Sequence, residues 1–286
     1  MKAGTVAIIG KPNAGKSTLL NAILGRKVAI TSPKPQTTRF QIDAIYEDDR
    51  GQILFIDTPG LLEKVEDPVG RHINVRAHDI INRQTDAVIY IVDHTKERGA
   101  EESKTLGLVR KFTCPKILVI NKIDMKTPTH IVQYKFMEDE FNATVYVSAL
   151  RRTHIKQLLE VVFSFLPEGP PLVDTAHIPQ PGISLDSMTF ISEIIREKAF
   201  LFLRKEVPYS LTAVVDDISE RENGTMYIKA RILTTKDKYK SMIIGKNGAM
   251  IKEISMAARK ELEIATNKKI YLEIVVEVNP DWFNSI

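Results

Sequence analysis

Along the first half of the chain, short runs of consecutive apolar residues alternate with segments in which apolar residues recur every three or four positions. The runs TVAIIG (5–10), QILFID (52–57), AVIYIVD (87–93), KILVINK (116–122) and TVYVSA (144–149) are rich in β-branched residues and suit strands covered on both faces. Between them, STLLNAIL (17–24) and GRHINVRAHDIINRQ (70–84) carry a helical period. This alternation predicts a doubly wound α/β unit with a mixed, mostly parallel sheet. In THIKQLLEVVFSFLP, Ile155, Leu158, Leu159, Val162 and Phe163 form one helical stripe that stops at Pro167.

The pattern then changes. PEGPPLVDTAHIPQPGIS holds prolines at 167, 170, 171, 179 and 181, which suppress helix and central strand and favour an extended connector. Beyond it the periods read as a helix at about 189–205, strands SLTAVVDDI and MYIKARILTT around the turn ERENGT, a glycine loop, a helix AMIKEISMAARKEL, and a strand KIYLEIVVEV. With the short segment before the glycine loop, the order is α, β, β, α, α, β. The expected organisation is a first domain at 1–167, a proline-rich linker at 168–188 and a second, α+β domain at 189–286.

Composition narrows the class. A 286-residue chain with 43% hydrophobic and 27% charged residues is ordinary globular material. Its single cysteine excludes an internal disulfide framework, and it holds no apolar run long enough to span a membrane, so a cytoplasmic protein is expected. The six histidines are scattered without metal-ligand spacing, which argues against zinc. The net charge of +4 is mild, but from Lys229 to Lys269 there are 11 basic and 4 acidic residues, an excess of 7. A basic field of this kind favours a polyphosphate partner.

The chemistry begins at Gly10. GKPNAGKS, from Gly10 through Lys11, Pro12, Asn13, Ala14, Gly15 and Lys16 to Ser17, matches the G-x-x-x-x-G-K-[ST] phosphate loop and lies between an apolar strand and the helix that opens with Ser17 and Thr18. In such a loop backbone N–H groups and a helix N-terminus converge on phosphate, Lys16 bridges β- and γ-phosphate oxygens, and Ser17 binds Mg2+. The first domain is thus expected to be a P-loop NTPase. In DTPG, Asp57 is the metal-side carboxylate and Gly60 the amide that senses the γ-phosphate, with Thr58, Pro59 and Leu61 beside the nucleotide. SPKPQTTR offers Thr37 and Thr38 to the magnesium, of which Thr38 is favoured.

A phosphate loop alone fits kinases, ATPases and GTPases, so the base must decide. NKID, comprising Asn121, Lys122, Ile123 and Asp124, follows the strand KILVI. The Asp124 carboxylate can accept N1–H and N2–H of guanine together, a donor pair adenine lacks. Asn121 would fix the loop, and the Lys122 stem would cover the ring face. SAL, at Ser148, Ala149 and Leu150, could present an N–H to guanine O6. GTP and GDP are therefore the expected ligands. Leu61 occupies the position where Ras-like proteins carry a water-orienting glutamine. Asn13 could then hold a potassium ion beside the phosphates, supplying positive charge, or merely shape the loop. The catalytic set is expected to be Asn13, Lys16, Thr38 and Gly60.

In the second domain, IIGKNGAMIK carries a G-x-x-G loop between two helices, the arrangement of a type II KH domain. Such a loop clamps single-stranded nucleic-acid backbone. Gly245, Lys246, Asn247 and Gly248 would meet the phosphates, Lys252 would add charge, and Ile243, Ile244 and Ile251 would line an apolar platform for bases.

With both halves read, the chain resembles the Era family, bacterial GTPases with a C-terminal KH domain that act in assembly of the small ribosomal subunit. The likeness rests on GKPNAGKSTLLN, SPKPQTTR, DTPG, NKID, SAL, SEIIREK followed by VPYS, and IIGKNGAMIK, in that order. It departs from the family at Pro35 and Gln36, where a small residue and glycine are common, and in ending soon after Trp282. The resemblance implies GTP hydrolysis coupled to binding of the single-stranded 3′ end of 16S ribosomal RNA and hence to the 30S subunit. A nucleotide-gated RNA chaperone with negligible hydrolysis is the alternative; NKID and DTPG argue against a metabolic kinase. DNA is not an expected partner, and a monomer is the expected state. The basic, isoleucine-bearing segment from Arg71 to Arg83 suits a domain-packing face and, less readily, peripheral association with a membrane.

Overall fold

Each of the five apolar runs becomes a strand of one six-stranded sheet in a computed structural model that describes residues 1–25, 42–57, 85–174 and 187–282. They are β1 (Lys2–Ile9), β3 (Gly51–Asp57), β4 (Ala87–Asp93), β5 (Lys116–Asn121) and β6 (Ala143–Tyr146). All seven residues of β4 are buried, which fits a central strand covered on both faces. The sheet order is β2-β3-β1-β4-β5-β6, parallel throughout except for β2 (Ile42–Asp48), which pairs antiparallel with β3.

The strand β2 is an addition to what the apolar runs predict. In IDAIYED, acidic residues at 43, 47 and 48 break any continuous apolar run, as an edge strand tolerates. Its turn is fastened by Asp48, whose carboxylate accepts Arg50 Nη2 at 2.6 Å and the Arg50 amide at 2.9 Å. Those bonds hold the Asp48 carboxyl down at about 2.

Helices α1 (Lys16–Leu24), α2 (Ala100–Val109), the short α3 (Ile131–Lys135) and α4 (Ile155–Phe165) complete the first unit. The predicted stripe of α4 is observed: Ile155, Leu158, Leu159, Val162 and Phe163 are all buried. Burying five such side chains is worth roughly 1.5–3 kcal/mol apiece before entropy is counted. The predicted helix at 70–84 lies outside the described residues, and with it the segment considered for a membrane surface. Among the described residues no helix is long and apolar enough to cross a membrane.

The chain divides into two units, Met1–Ser184 and Leu185–Ile286. The proline-rich stretch, expected to act as linker from residue 168, starts out attached to the first unit. Gly169 N–H donates to Met1 O at 3.0 Å, and the Gln52 side chain makes two 2.9 Å bonds with the Val173 backbone. Gln52 is buried, and this backbone pairing satisfies its amide.

The second unit has the predicted order: α5 (Ser187–Phe202), β7 (Leu211–Glu220), β8 (Met226–Thr234), α6 (Asp237–Ile244), α7 (Ala249–Thr266) and β9 (Ile270–Val278). Strand β8 is central, antiparallel to β7 and parallel to β9. SEIIREK contributes Ile194 and Ile195 to the core and also buries Arg196, which forms two 2.6 Å bonds to Glu193. Trp282 closes the unit, its indole N–H donating to Ser210 O at 3.1 Å.

Candidate functional site

In a parallel α/β sheet, ligands bind beyond the carboxyl ends of the strands, where the chain departs to opposite sides. Here β1 lies between β3 and β4, and GKPNAGKS leaves its end. Gly15, at φ +104°, caps α1; an added Cβ would stand 2.3 Å from Asn121 Nδ2, so the position needs glycine for both conformation and space. The first turn of α1 holds no acidic residue and no side-chain cap, so no carboxylate competes for the positive end of the helix dipole. Lys16 is buried, its Nζ donating to Gly10 O at 2.8 Å and Lys11 O at 3.0 Å. Asn13 is exposed with φ +64°, a left-handed conformation that asparagine tolerates.

Lys11 behaves differently from its neighbours. Its side chain reaches Glu102 of α2 at 2.9 Å, and Glu102 is 0% exposed. The other carboxylate oxygen accepts Tyr90 Oη at 2.5 Å, and burial together with that carboxylate drives the Tyr90 pKa far up. Charges buried to this extent persist only when paired and hydrogen-bonded. The Lys11 ammonium therefore ties the phosphate loop to α2. No local pattern in GKPN announces a partner 91 positions away.

The three loops of the base side meet through side chains. Asn121 Nδ2 donates to Ala14 O at 2.9 Å, and Asn121 Oδ1 accepts Ala149 N–H at 3.0 Å, so one amide joins the phosphate loop, NKID and SAL. Ser148 Oγ donates to Asp124 Oδ1 at 2.6 Å, orienting the carboxylate that the sequence marks for guanine. Because the Ala149 amide is engaged by Asn121, SAL serves first as a brace for NKID. Asp57 ends β3 in register with Ile8 of β1, which brings it alongside the strand that feeds the phosphate loop. Thr37, Thr38, Thr58, Pro59, Gly60 and Leu61 lie outside the described residues.

Two residues beside NKID carry no motif. Asp93 and His94, at the end of β4, are 2% and 4% exposed. Asp93 Oδ2 accepts Lys122 Nζ at 2.6 Å, and His94 Nε2 lies 3.0 Å from Lys122 O. Burial opposes charge on Asp93, but hydrogen bonds from Lys122 and Thr95 outweigh it and hold its carboxyl below the usual range. The available signal is register: Asp93 pairs with Asn121, the first residue of NKID.

In the second unit, Gly245–Gly248 forms the bend between α6 and α7 with φ values of +73°, +52° and +76° at Gly245, Asn247 and Gly248. A Cβ on Gly245 would stand 2.7 Å from the Met250 Cβ, so glycine is required there. Lys246, Asn247 and Lys252 are exposed, and α7, like α1, opens without an acidic residue or side-chain cap. The predicted base platform needs one correction. Ile243 is 0% exposed and belongs to the core, and Ile244 and Ile251 pack against that core while remaining half-buried beside the loop. Helical phase turns Ile243 fully inward and leaves its neighbour partly covered at the edge of the core.

Family models for a 50S ribosome-binding GTPase and a KH domain match residues 5–122 and 206–283. GTPase Era of Halothermothrix orenii is 37% identical over 98% of this chain and 94% of its own length. The chain belongs to the Era family of GTPases. Another Era, from Geobacter metallireducens, is 40% identical over 98% of this chain and 94% of its own. Among solved structures, a point variant of Aquifex aeolicus Era bound to GDP and aluminium fluoride matches with a TM-score of 0.90 at 35% identity, covering 99% of this chain and 96% of that one. A structure of Era with MgGDPNP and nucleotides 1506–1542 of 16S ribosomal RNA matches with the same score and identity, covering 99% and 95%. This Era-family chain is thus a GTP-binding and GTP-hydrolysing protein with an RNA-binding KH domain.

Proposed function

We propose that this Era-family GTPase acts in assembly of the 30S subunit in the cytoplasm, gripping the single-stranded 3′ end of 16S ribosomal RNA through its KH domain under control of its nucleotide. The observation that carries the reading is the left-handed, glycine-framed loop at Gly245–Gly248, with exposed Lys246 and Asn247, on the same chain as the NKID site. A solved relative bound to nucleotides 1506–1542 of 16S ribosomal RNA supports this choice of RNA.

At the nucleotide, Lys16 and the N–H groups at the start of α1 hold the phosphates, and Asp124 accepts the guanine N1–H and N2–H. Ser17 and Asp57 supply the hard oxygen donors that Mg2+ prefers, and Thr38 joins them in the triphosphate state. Buried Ser17, in a helix turn without acidic residues, fits such a donor set. Held by these residues, the ion would supply positive charge to the phosphates. In place of a glutamine at Leu61, Asn13 would hold a potassium ion, which would supply positive charge to the reaction.

Multiple-turnover phosphate release tests the reading when run with a 16S 3′-terminal oligonucleotide and with a scrambled one, in potassium and in sodium. The authentic 3′ sequence is expected to change the rate while the scrambled one does not, and potassium to give the faster reaction. Equal effects of the two RNAs would overturn the proposed target. Equal rates in the two cations would remove potassium.

A further inference from the structure

Lys122 is the residue of NKID whose conformation is hardest to maintain. Its φ is +69°, a left-handed backbone that a long side chain adopts at a cost of order 1–3 kcal/mol unless its surroundings hold it there. Its stem covers guanine only if both the backbone and the ammonium are fixed, because a free lysine side chain loses about 2 kcal/mol of rotamer entropy on ordering. The structure holds both ends.

At the ammonium end, the Asp93 carboxylate is divided between two partners. Thr95 donates to Oδ1 through its amide at 3.0 Å and its hydroxyl at 2.6 Å, leaving Oδ2 to accept Lys122 Nζ at 2.6 Å. At the backbone end, Lys122 O can only accept, so His94 Nε2 donates to it across 3.0 Å. The His94 ring is set in turn by Thr129 Oγ1, 3.1 Å from Nδ1, and the His94 carbonyl accepts the His130 amide at 2.7 Å. Met125 N–H also donates to Lys122 O at 2.9 Å, closing the turn.

We propose that Asp93 and His94 are positioning residues for guanine recognition: adjacent in sequence, they grip Lys122 at its ammonium and at its carbonyl and so present its stem to the base before nucleotide arrives. Neither residue belongs to the phosphate loop at 10–17, so their effect is expected on affinity and not on the chemical step. The inference rests on the reading of Lys122 as the residue that covers the base.

A double-mutant cycle with fluorescently labelled GDP separates the two. Asp93→Asn keeps the shape and removes the charge. It is expected to weaken GDP about tenfold in the parent protein and less than twofold in a Lys122→Ala background, since residues that act through one another are not additive. In steady-state hydrolysis, Asp93→Asn should raise the KM for GTP and leave kcat within twofold. If Lys122→Ala binds GDP as the parent does, the base-covering role of Lys122 is wrong. If Lys122→Ala weakens GDP but Asp93→Asn costs the same factor in both backgrounds, that role stands and the present inference falls. His94 gives an independent arm should Asp93→Asn not fold. His94→Gln retains a donor and is expected to bind GDP within threefold of the parent, whereas His94→Leu should lose about tenfold; equal affinities for these two variants would overturn the proposal.

Discussion

Replacing Asp124 by asparagine is expected to weaken GDP by roughly a hundredfold, about 3 kcal/mol, while improving the binding of xanthosine diphosphate. In the proposed site the carboxylate accepts from two guanine donors at once, and charge-assisted bonds of this kind contribute about 1.5–3 kcal/mol each. An asparagine amide presents one acceptor and one donor. Its NH2 would face the N2–H2 of guanine, donor against donor, but would complement the carbonyl that xanthine carries at that position. Ser148, 2.6 Å from Asp124 Oδ1, limits the freedom of the side chain to turn away. Competition binding with GDP and xanthosine diphosphate checks this; an Asp124→Asn protein that keeps parental GDP affinity, or gains nothing for xanthosine, contradicts the assignment.

The second large effect belongs to the KH loop. Lys246→Asp together with Asn247→Asp changes the charge beside the bound phosphates by −3, and it is expected to reduce affinity for a 16S 3′-terminal oligonucleotide at least ~100-fold at physiological salt. Both side chains are exposed, and aspartate tolerates the left-handed backbone of position 247 nearly as well as asparagine. The KH unit should therefore stay folded, and GDP affinity should remain within twofold of the parent. Filter binding or fluorescence anisotropy measures the loss. An unchanged RNA affinity would move the RNA site away from Gly245–Gly248.

What could be read in advance followed from periodicity and from motifs anchored to strand ends. AVIYIVD is buried throughout because its apolar run lacks any polar face, and α4 shows its stripe because five apolar residues repeat with helical spacing. The phosphate loop and NKID are legible because their chemistry is carried by adjacent residues. The partners that hold these motifs are not. Asn121 bonds to Ala14 across 107 positions and Lys11 pairs with Glu102, contacts that exist only once the sheet has brought β1, β4 and β5 side by side.

The same reason explains His94. As one of six scattered histidines it carries no metal spacing, and only its place beside β5 turns it toward Lys122. Strand β2 escaped because acidic residues interrupt it, and an edge strand needs little apolar continuity. Ile243 and Ile244 are chemically alike, and α6, only eight residues long, is too short for sequence period to say which of them faces the core.

In the proposed function, guanine nucleotide controls the grip of the KH domain on small-subunit RNA. Chemical footprinting of 16S ribosomal RNA in 30S particles, with the protein bound to a non-hydrolysable GTP analogue and then to GDP, tests it most directly. Protection of the single-stranded 3′ end is expected to differ between the two states, by at least ~10-fold in the protein concentration giving half-protection, a coupling of about 1.4 kcal/mol. Identical protection with both nucleotides, or protection confined to other parts of the RNA, would contradict it.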